Sequence, residues 1–417
     1  MAPQLIARNA SAQDLVALLN TQKAEKLDLV VPAANVWSKD GKIVVKNAEP
    51  QITDEGVSTV NGTYRPTEVF DEGLASKLEI PSKYVQRLRA DRPDLLDANV
   101  NGLLHGRALF GKDGTRTEIY PADTRAFLLR LFRGDGGEGV ARAMLSDRYS
   151  LGMDNLDMLT AVMKGVQDAG VNVITRVSDL SERRMRVRFE APDVYTQAPG
   201  LLDGYRSPFD GGGAVRRAGS FNELRQQYGQ HHIFSEKDAP IAFIGFDFTN
   251  SETGSGAYTL TPVIEMVRCT NGWVMRREGL RKVHLGSKLE AGNVTPSLDT
   301  LRKAGTLVAA ETRDAIKQWL TQGYLEQLIA SLTEKAATPI ASPANTVPAV
   351  TKSLGFTSEE QDGILDLFIK SGQPTAGGVA QAISAYAQIV EDPDRAYDIE
   401  LKAVDGLDEA ARIGARA

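Results

Sequence analysis

Residues 146–155 read SDRYSLGMDN and place two aspartates, an arginine, a tyrosine and two serines within ten positions. Carboxylates so close together can hold a divalent cation, cap a helix or pair with an arginine. Asp147 and Asp154, with Asp247 and Glu252 farther along, all fall at the ends of expected strands or in the turns after them. If those strands are neighbours, two or three of these carboxylates could hold Mg²⁺ for phosphodiester chemistry. The plainer expectation ranks ahead of it: Asp147 pairs with Arg148 or caps a turn, and Asp154 with Asn155 caps the helix that follows. Arg148 has no such local task, which singles it out.

A second set of side chains suits nucleic acid. Arg184, Arg186 and Arg188 alternate along an expected strand and so share one face. Residues 191–240 show no sustained periodicity, carry Gly211, Gly212 and Gly213, and mix aromatic residues with Arg206, Arg216, Arg217 and Arg225. Arginine neutralises phosphate through a planar fork, and flat rings stack on unpaired bases. On this reading Arg148, Arg184, Arg186, Arg188, Arg216 and Arg217 meet phosphates, while Tyr205, Phe221 and Tyr228 stack bases. The rival reading is an oligomerisation or lid loop whose aromatics bury against a neighbouring subunit, and the two are compatible. A pair of helices around Pro81, with Lys83, Arg87 and Arg89 on the second, has the layout of a helix-turn-helix reader; a packed helical hairpin with a solvated basic face ranks ahead of it.

Other signatures are missing. There is no GxxxxGK[ST], HExxH or GxSxG. GDGGEG at 134–139 matches GxGxxG but opens onto another strand, so a hairpin loop is expected rather than a dinucleotide site. Four histidines (His105, His231, His232, His284) and one cysteine (Cys269) do not supply zinc spacing, and Cys269, at a strand end, reads as a buried inert thiol. No cofactor is expected, apart from Mg²⁺ under the carboxylate reading.

At 417 residues, with 42% hydrophobic and 24% charged residues, the composition is that of an ordinary globular chain of two or three domains. No apolar run reaches the length of a membrane span, and the opening residues lack the charged-then-apolar order of a signal peptide. With a single cysteine, the expectation is a cytoplasmic protein without a membrane partner. The net charge of −6 is unevenly spread: residues 355–417 hold twelve Asp/Glu against five Lys/Arg. This acidic tail reads as a solvated face or as the occupant of a basic groove.

The elements that must position these residues suggest an α+β fold. Residues 1–102 are expected to form a hairpin-and-helix region, with turns at Asp40-Gly41 and Asn61-Gly62 and a helix capped by Ser11. Residues 103–290 should form a central, mostly antiparallel sheet packed on a helix over 155–169 that Gly170 ends, interrupted by the 191–240 loop. Residues 291–417 should be helical, with a Pro-rich linker at 337–348.

Two segments carry a resemblance. RAMLSDRYSLGMDN (142–155) and FTNSETGSGAYTLTPVIEMVRCTNGWV (248–274) resemble the hallmark segments of the phage/plasmid-like family known as domain-of-unknown-function family 932. The matching positions are Arg142, Ser146, Asp147, Arg148, Tyr149, Asp154 and Asn155, then Asn250, Ser251, Gly254, Arg268, Cys269, Asn271 and Gly272. The resemblance spans roughly residues 73–387 and implies a protein of phages, plasmids or prophages in a bacterial host; it implies no activity. A β-β-β-α run between residues 103 and 169 is similar to the core of single-strand annealing proteins. The leading expectation is therefore a phage-type DNA metabolism protein that binds single-stranded DNA, as a homo-oligomer that anneals strands. The alternatives are a metal-dependent enzyme acting on phosphodiester or nucleotide, and a non-enzymatic interaction protein that contacts a host factor through its acidic tail.

Overall fold

The computed structural model describes residues 4–49, 51–53, 56–58, 60–110, 116–134, 138–147, 149, 154–201, 204–206, 208–209, 241–266, 272–275, 279–282 and 298–415. Arg148, Arg216, Arg217, Phe221, Tyr228, Cys269, His231, His232 and His284, all singled out above, lie outside them.

The fold is α+β, built on two sheets rather than one central sheet. Helix α1 (Ala12–Glu25) starts at Ser11, whose hydroxyl accepts from the Asp14 N–H. Strands β1 (Lys26–Pro32), β2 (Val36–Lys39) and β3 (Lys42–Val45) follow, with Asp40 and Gly41 at positive φ in the turn between β2 and β3. The Asn61-Gly62 expectation fails. Strand β5 (Gly56–Ser58) pairs with β4 (Gln51–Thr53), whereas β6 (Gly62–Pro66) pairs with β3. Asn61 uses its amide to bridge the backbone N–H and carbonyl of Ala48 instead.

Three helices follow: α2 (Glu68–Leu78), α3 (Ser82–Asp91) and α4 (Pro93–His105), the last extending into what read as the first central strand. Strands β7 (Arg107–Phe110) and β8 (Arg116–Tyr120) pair only with each other, while β9 (Ala126–Phe132) and β10 (Glu138–Ser146) enter the first sheet. Its order is β1-β9-β10-β6-β3-β2, antiparallel except for β10 beside β6. The β-β-β-α run therefore does not form one sheet. Because β1 pairs along its whole length with β9, the first sheet also crosses the expected boundary at residue 102. Strands β9 and β10, on either side of the GDGGEG stretch, pair antiparallel, and a Cβ on Gly139 would sit 2.3 Å from the Phe132 carbonyl oxygen.

Helix α5 (Asn155–Ala169) leads into the second sheet: β11 (Ile174–Leu180), β12 (Met185–Gln197), β13 (Ile241–Asn250), β14 (Tyr258–Met266) and β15 (Gly272–Val274), in that spatial order, with β16 (Leu280–Lys282) also on β14. Its members alternate cleanly. Met185, Val187, Phe189, Ile244, Phe246, Phe248, Leu260 and Ile264 are buried in a core shared with Met158, Val162 and Val166 of α5 and with Val308 and Ile316 of α6 (Leu298–Trp319). The intervening residues put Arg186, Arg188, Glu190, Asp247, Thr249, Thr261 and Glu265 on the other face. Helices α7 (Gln322–Ala336), α8 (Pro343–Ser353), α9 (Ser358–Ser371), α10 (Ala376–Ile389), α11 (Pro393–Glu400) and α12 (Ala403–Gly414) complete the chain. The second half of the expected linker at 337–348 is helix, because Pro343 occupies the first turn of α8, where its missing N–H costs nothing.

Candidate functional site

Described residues of two segments distant in sequence meet: Arg142, Tyr149, Asp154 and Asn155 from one, Asn250, Ser251 and Glu252 from the other. On the first sheet, the face turned away from α2–α4 carries Lys26 and Asp28 of β1, Arg130 of β9 and Arg142 of β10. Arg142 reaches that face through a bulge: the β9–β10 register shifts between Ala141 and Ala143, and Arg142 is the extra residue. Against these side chains sit Asp154, at the start of α5, and Glu252, in the turn after β13. Arg130 NH2 lies 3.2 Å from Asp154 Oδ1 and 3.3 Å from Asp28 Oδ2. Lys26 pairs with Asp154, and Arg142 with Glu252. Three cations thus face three carboxylates, and the cluster is neutral.

Charge decides the protonation states. Burial opposes ionisation of Asp154, yet the charges of Lys26 and Arg130 outweigh it and hold its carboxyl at about 2. Glu252 behaves alike: burial raises its pKa, but Arg142 and Arg130 bring it below the ordinary value. For Asp28 burial wins over Arg130 and Lys26, and its pKa is raised. Burial pushes Tyr149 up to about 12, and its hydroxyl donates to the Ser251 carbonyl at 2.7 Å.

The capping expectation is corrected here. Asp154 has the extended backbone of an N-cap but makes no side-chain cap bond, because its carboxylate is committed to Lys26 and Arg130. The carboxylate that receives the Asn155 N–H belongs to Glu252, far away in sequence. Asn250 Nδ2 donates to Asn155 Oδ1 at 2.9 Å. The turn holds its shape because Gly254 takes φ +79°, and a Cβ there would lie 2.7 Å from Leu145 Cδ2. Arg142, Tyr149, Asp154, Asn155, Asn250, Ser251 and Gly254 therefore join the two sheets through one polar knot.

Of the four carboxylates, two or three of which were expected to share a cation, only two meet, and both are paired with Lys26, Arg130 and Arg142. Asp154 and Glu252 belong to this knot, Asp247 lies in a second cluster, and Asp147 joins neither. Among the described residues no group of three or more His, Cys, Asp or Glu side chains is arranged to hold a metal ion.

The second cluster overturns part of the phosphate expectation. Arg186 and Arg188 do share a face, but each is only 2% exposed. Arg188 Nε and NH2 lie 2.7 Å from the two oxygens of Asp247, and Arg186 NH2 lies 2.9 Å from Asp247 Oδ2. Glu400 of α11 accepts from both, at 2.7 Å from Arg186 and 2.9 Å from Arg188. Arg176 enters by the same device as Arg142: the β11–β12 register shifts around it, and its Nε lies 3.2 Å from Glu190 Oε2. The Tyr397 ring lies 4.2 Å from the Arg186 guanidinium. Part of the acidic tail thus fills a basic groove within its own chain. Removing these arginines from solvent is tolerated because carboxylates surround them, and they are not available to phosphate in this state. Tyr205 is buried too, at 3% exposure, and offers no stacking platform.

Arg184 is the member of the trio that reaches solvent. It lines a cleft of about 440 Å³ on the polar face of the second sheet. Thr249, Thr259 and Thr261 project into it from β13 and β14, Ser251 and Ser255 from the turn between them, and Arg281 from β16. Thr249 and Thr259 hydroxyls lie 2.6 Å apart. Arg281 is exposed and has no acidic partner among the described residues. Such a row of hydroxyls with two guanidinium groups suits an anionic, oxygen-rich ligand. The sequence reading passed over this site, although the alternation Thr259, Thr261 opposite Asp247, Thr249 is visible in the chain as polar positions within otherwise apolar strands.

Comparison with known proteins adds no template: no family model, curated protein or solved structure matches this chain.

Proposed function

We propose that this is a phage-type DNA metabolism protein that binds single-stranded nucleic acid along the polar face of its second sheet. The observation that carries the reading is the open cleft with Arg184 and Arg281 beside a row of Ser and Thr hydroxyls. Phosphate oxygens accept from these two kinds of donor in most protein–nucleic-acid contacts. At this volume the cleft takes roughly one nucleotide unit. The phage-type context comes from the resemblance of the two hallmark segments, and strand annealing by an oligomer is the further step of the same reading.

The test is fluorescence anisotropy of a labelled oligothymidylate over a salt series. Binding is expected to weaken as salt rises, and Arg184→Ala and Arg281→Ala should each reduce the slope by about 0.7 on logarithmic axes. Absence of binding at low salt, or binding without a salt slope, overturns the proposal. Addition of the complementary strand, read by size-exclusion light scattering and duplex yield, tests annealing in the same preparation.

A further inference from the structure

At the mouth of the cleft, Arg184 already holds anions. Its Nε lies 2.8 Å from Asp394 Oδ1 and its NH2 lies 2.9 Å from Asp398 Oδ1, both on α11. Asp394 and Asp398 are one helical turn apart and so project from the same side of the helix. Asp394 is largely buried, but the Asp398 side chain is 42% exposed and itself lines the cleft. One guanidinium fork is satisfied by a single bidentate anion, yet here its charge is shared between two carboxylates at ion-pair distance, and Nε is left without a hydrogen bond. Among the described residues, Arg281 has no such guard.

We infer that Asp398 occupies the phosphate position on Arg184, so that nucleic acid enters the cleft by exchanging a phosphate for this carboxylate. The inference rests on the nucleic-acid reading above and names how that site is regulated. Three features of the contact make exchange feasible. A half-exposed ion pair is weak and its partner leaves easily. Asp398 can rotate into solvent without moving α11, because the buried Tyr397 and Glu400 anchor the helix on the sheet. Asp394 stays behind to keep Arg184 aimed at the cleft. Asp398 thereby acts as a specificity-determining residue: weakly binding anions do not displace it, whereas a polyphosphate strand, which also gains Arg281 and the hydroxyl row, does.

The experiment compares the full-length protein with Asp398→Asn, Arg184→Ala, the double variant and Arg281→Ala, using anisotropy of a labelled oligothymidylate at one moderate salt concentration. Asp398→Asn should bind about five-fold more tightly, with an unchanged thermal transition, and this gain should vanish in the Arg184→Ala background. Unchanged affinity in Asp398→Asn, with weaker binding in Arg184→Ala and Arg281→Ala, overturns the exchange and leaves the binding reading standing. An equal gain with and without Arg184 also overturns it, since that is the general effect of removing one negative charge. If the wild-type protein and all variants fail to bind, the binding reading falls and the exchange falls with it.

Discussion

Glu190 on β12 and Glu265 on β14 are separated by a strand, yet their carboxyl groups act on each other's ionisation. Gly245 pairs with Glu190 in the β12–β13 register, and a Cβ there would lie 2.1 Å from the Phe189 carbonyl oxygen, so the two strands approach closely only because this residue is glycine. Burial and the neighbouring Glu265 charge push the Glu190 carboxyl well above its ordinary range, which favours its protonated form, while Arg188 and Arg176 overcome burial and bring Glu265 below its ordinary value. With Glu190 neutral, Arg176, Arg186 and Arg188 balance Asp247, Glu265 and Glu400. A carboxyl whose folded-state pKa is raised contributes stability that is fully present below its unfolded value of 4.5 and is lost as pH rises through the higher folded value. Glu190→Gln copies the protonated form and removes that dependence. Melting temperature measured from ~pH 5 to ~pH 9 should fall less steeply for Glu190→Gln than for the wild type; parallel curves would show that Glu190 is ionised in the folded protein.

At the scale of elements, α5 shows how much a motif can conceal. Its apolar stripe and its end at Gly170 were legible in the sequence, because periodicity and a C-terminal glycine are local signals. Its beginning was not. Asp154 stands where a cap should stand, but Arg130 and Lys26 claim its carboxylate and Glu252 takes over the Asn155 N–H. Bulges were equally hidden: one extra residue re-aims Arg142 and Arg176 into the ion clusters, and nothing in a strand's composition announces it. Glu252→Gln keeps the shape but halves the carboxylate's capacity and leaves Arg142 without its counter-charge. Hydrogen exchange should then accelerate at the first amides of α5 while the amides of α6 remain protected. Equal protection in the variant would show that Glu252 does not hold the helix start.

For the whole molecule, the decisive fact is where the acidic tail goes. Ile399, Ala403, Leu407 and Ala410 belong to the same core as the apolar face of the second sheet, and Glu400 completes the charge balance of Arg186 and Arg188. The tail is therefore part of the fold and not an appendage. A chain ended before Pro393 should lose its cooperative thermal transition, because it exposes that core and leaves two buried arginines short of a carboxylate. A truncated chain that melts cooperatively near the wild-type temperature would show α11 to be a detachable cover. The exchange inferred for Asp398 needs no such detachment, since it moves one half-exposed side chain. Among the described residues, no helix is long and apolar enough to cross a membrane.

The sequence by itself determined the α+β class, most helix positions, the β2–β3 turn and the common face of Arg184, Arg186 and Arg188, since each follows from spacing within a few residues. Tertiary structure alone decided which way that face points. Arginines on alternate positions of a strand look the same whether they meet phosphate or carboxylate, and the partners that bury Arg186 and Arg188 come from β13, β14 and α11, up to 214 positions away in the chain. The same holds for the stretch of residues 146–155. Its aspartates read as a cation site or a helix cap, and only the long-range approach of Lys26, Arg130 and Glu252 assigns Asp154 to the knot that joins the two sheets. Coulomb energy depends on distance in space, which sequence spacing does not encode beyond a turn or a hairpin.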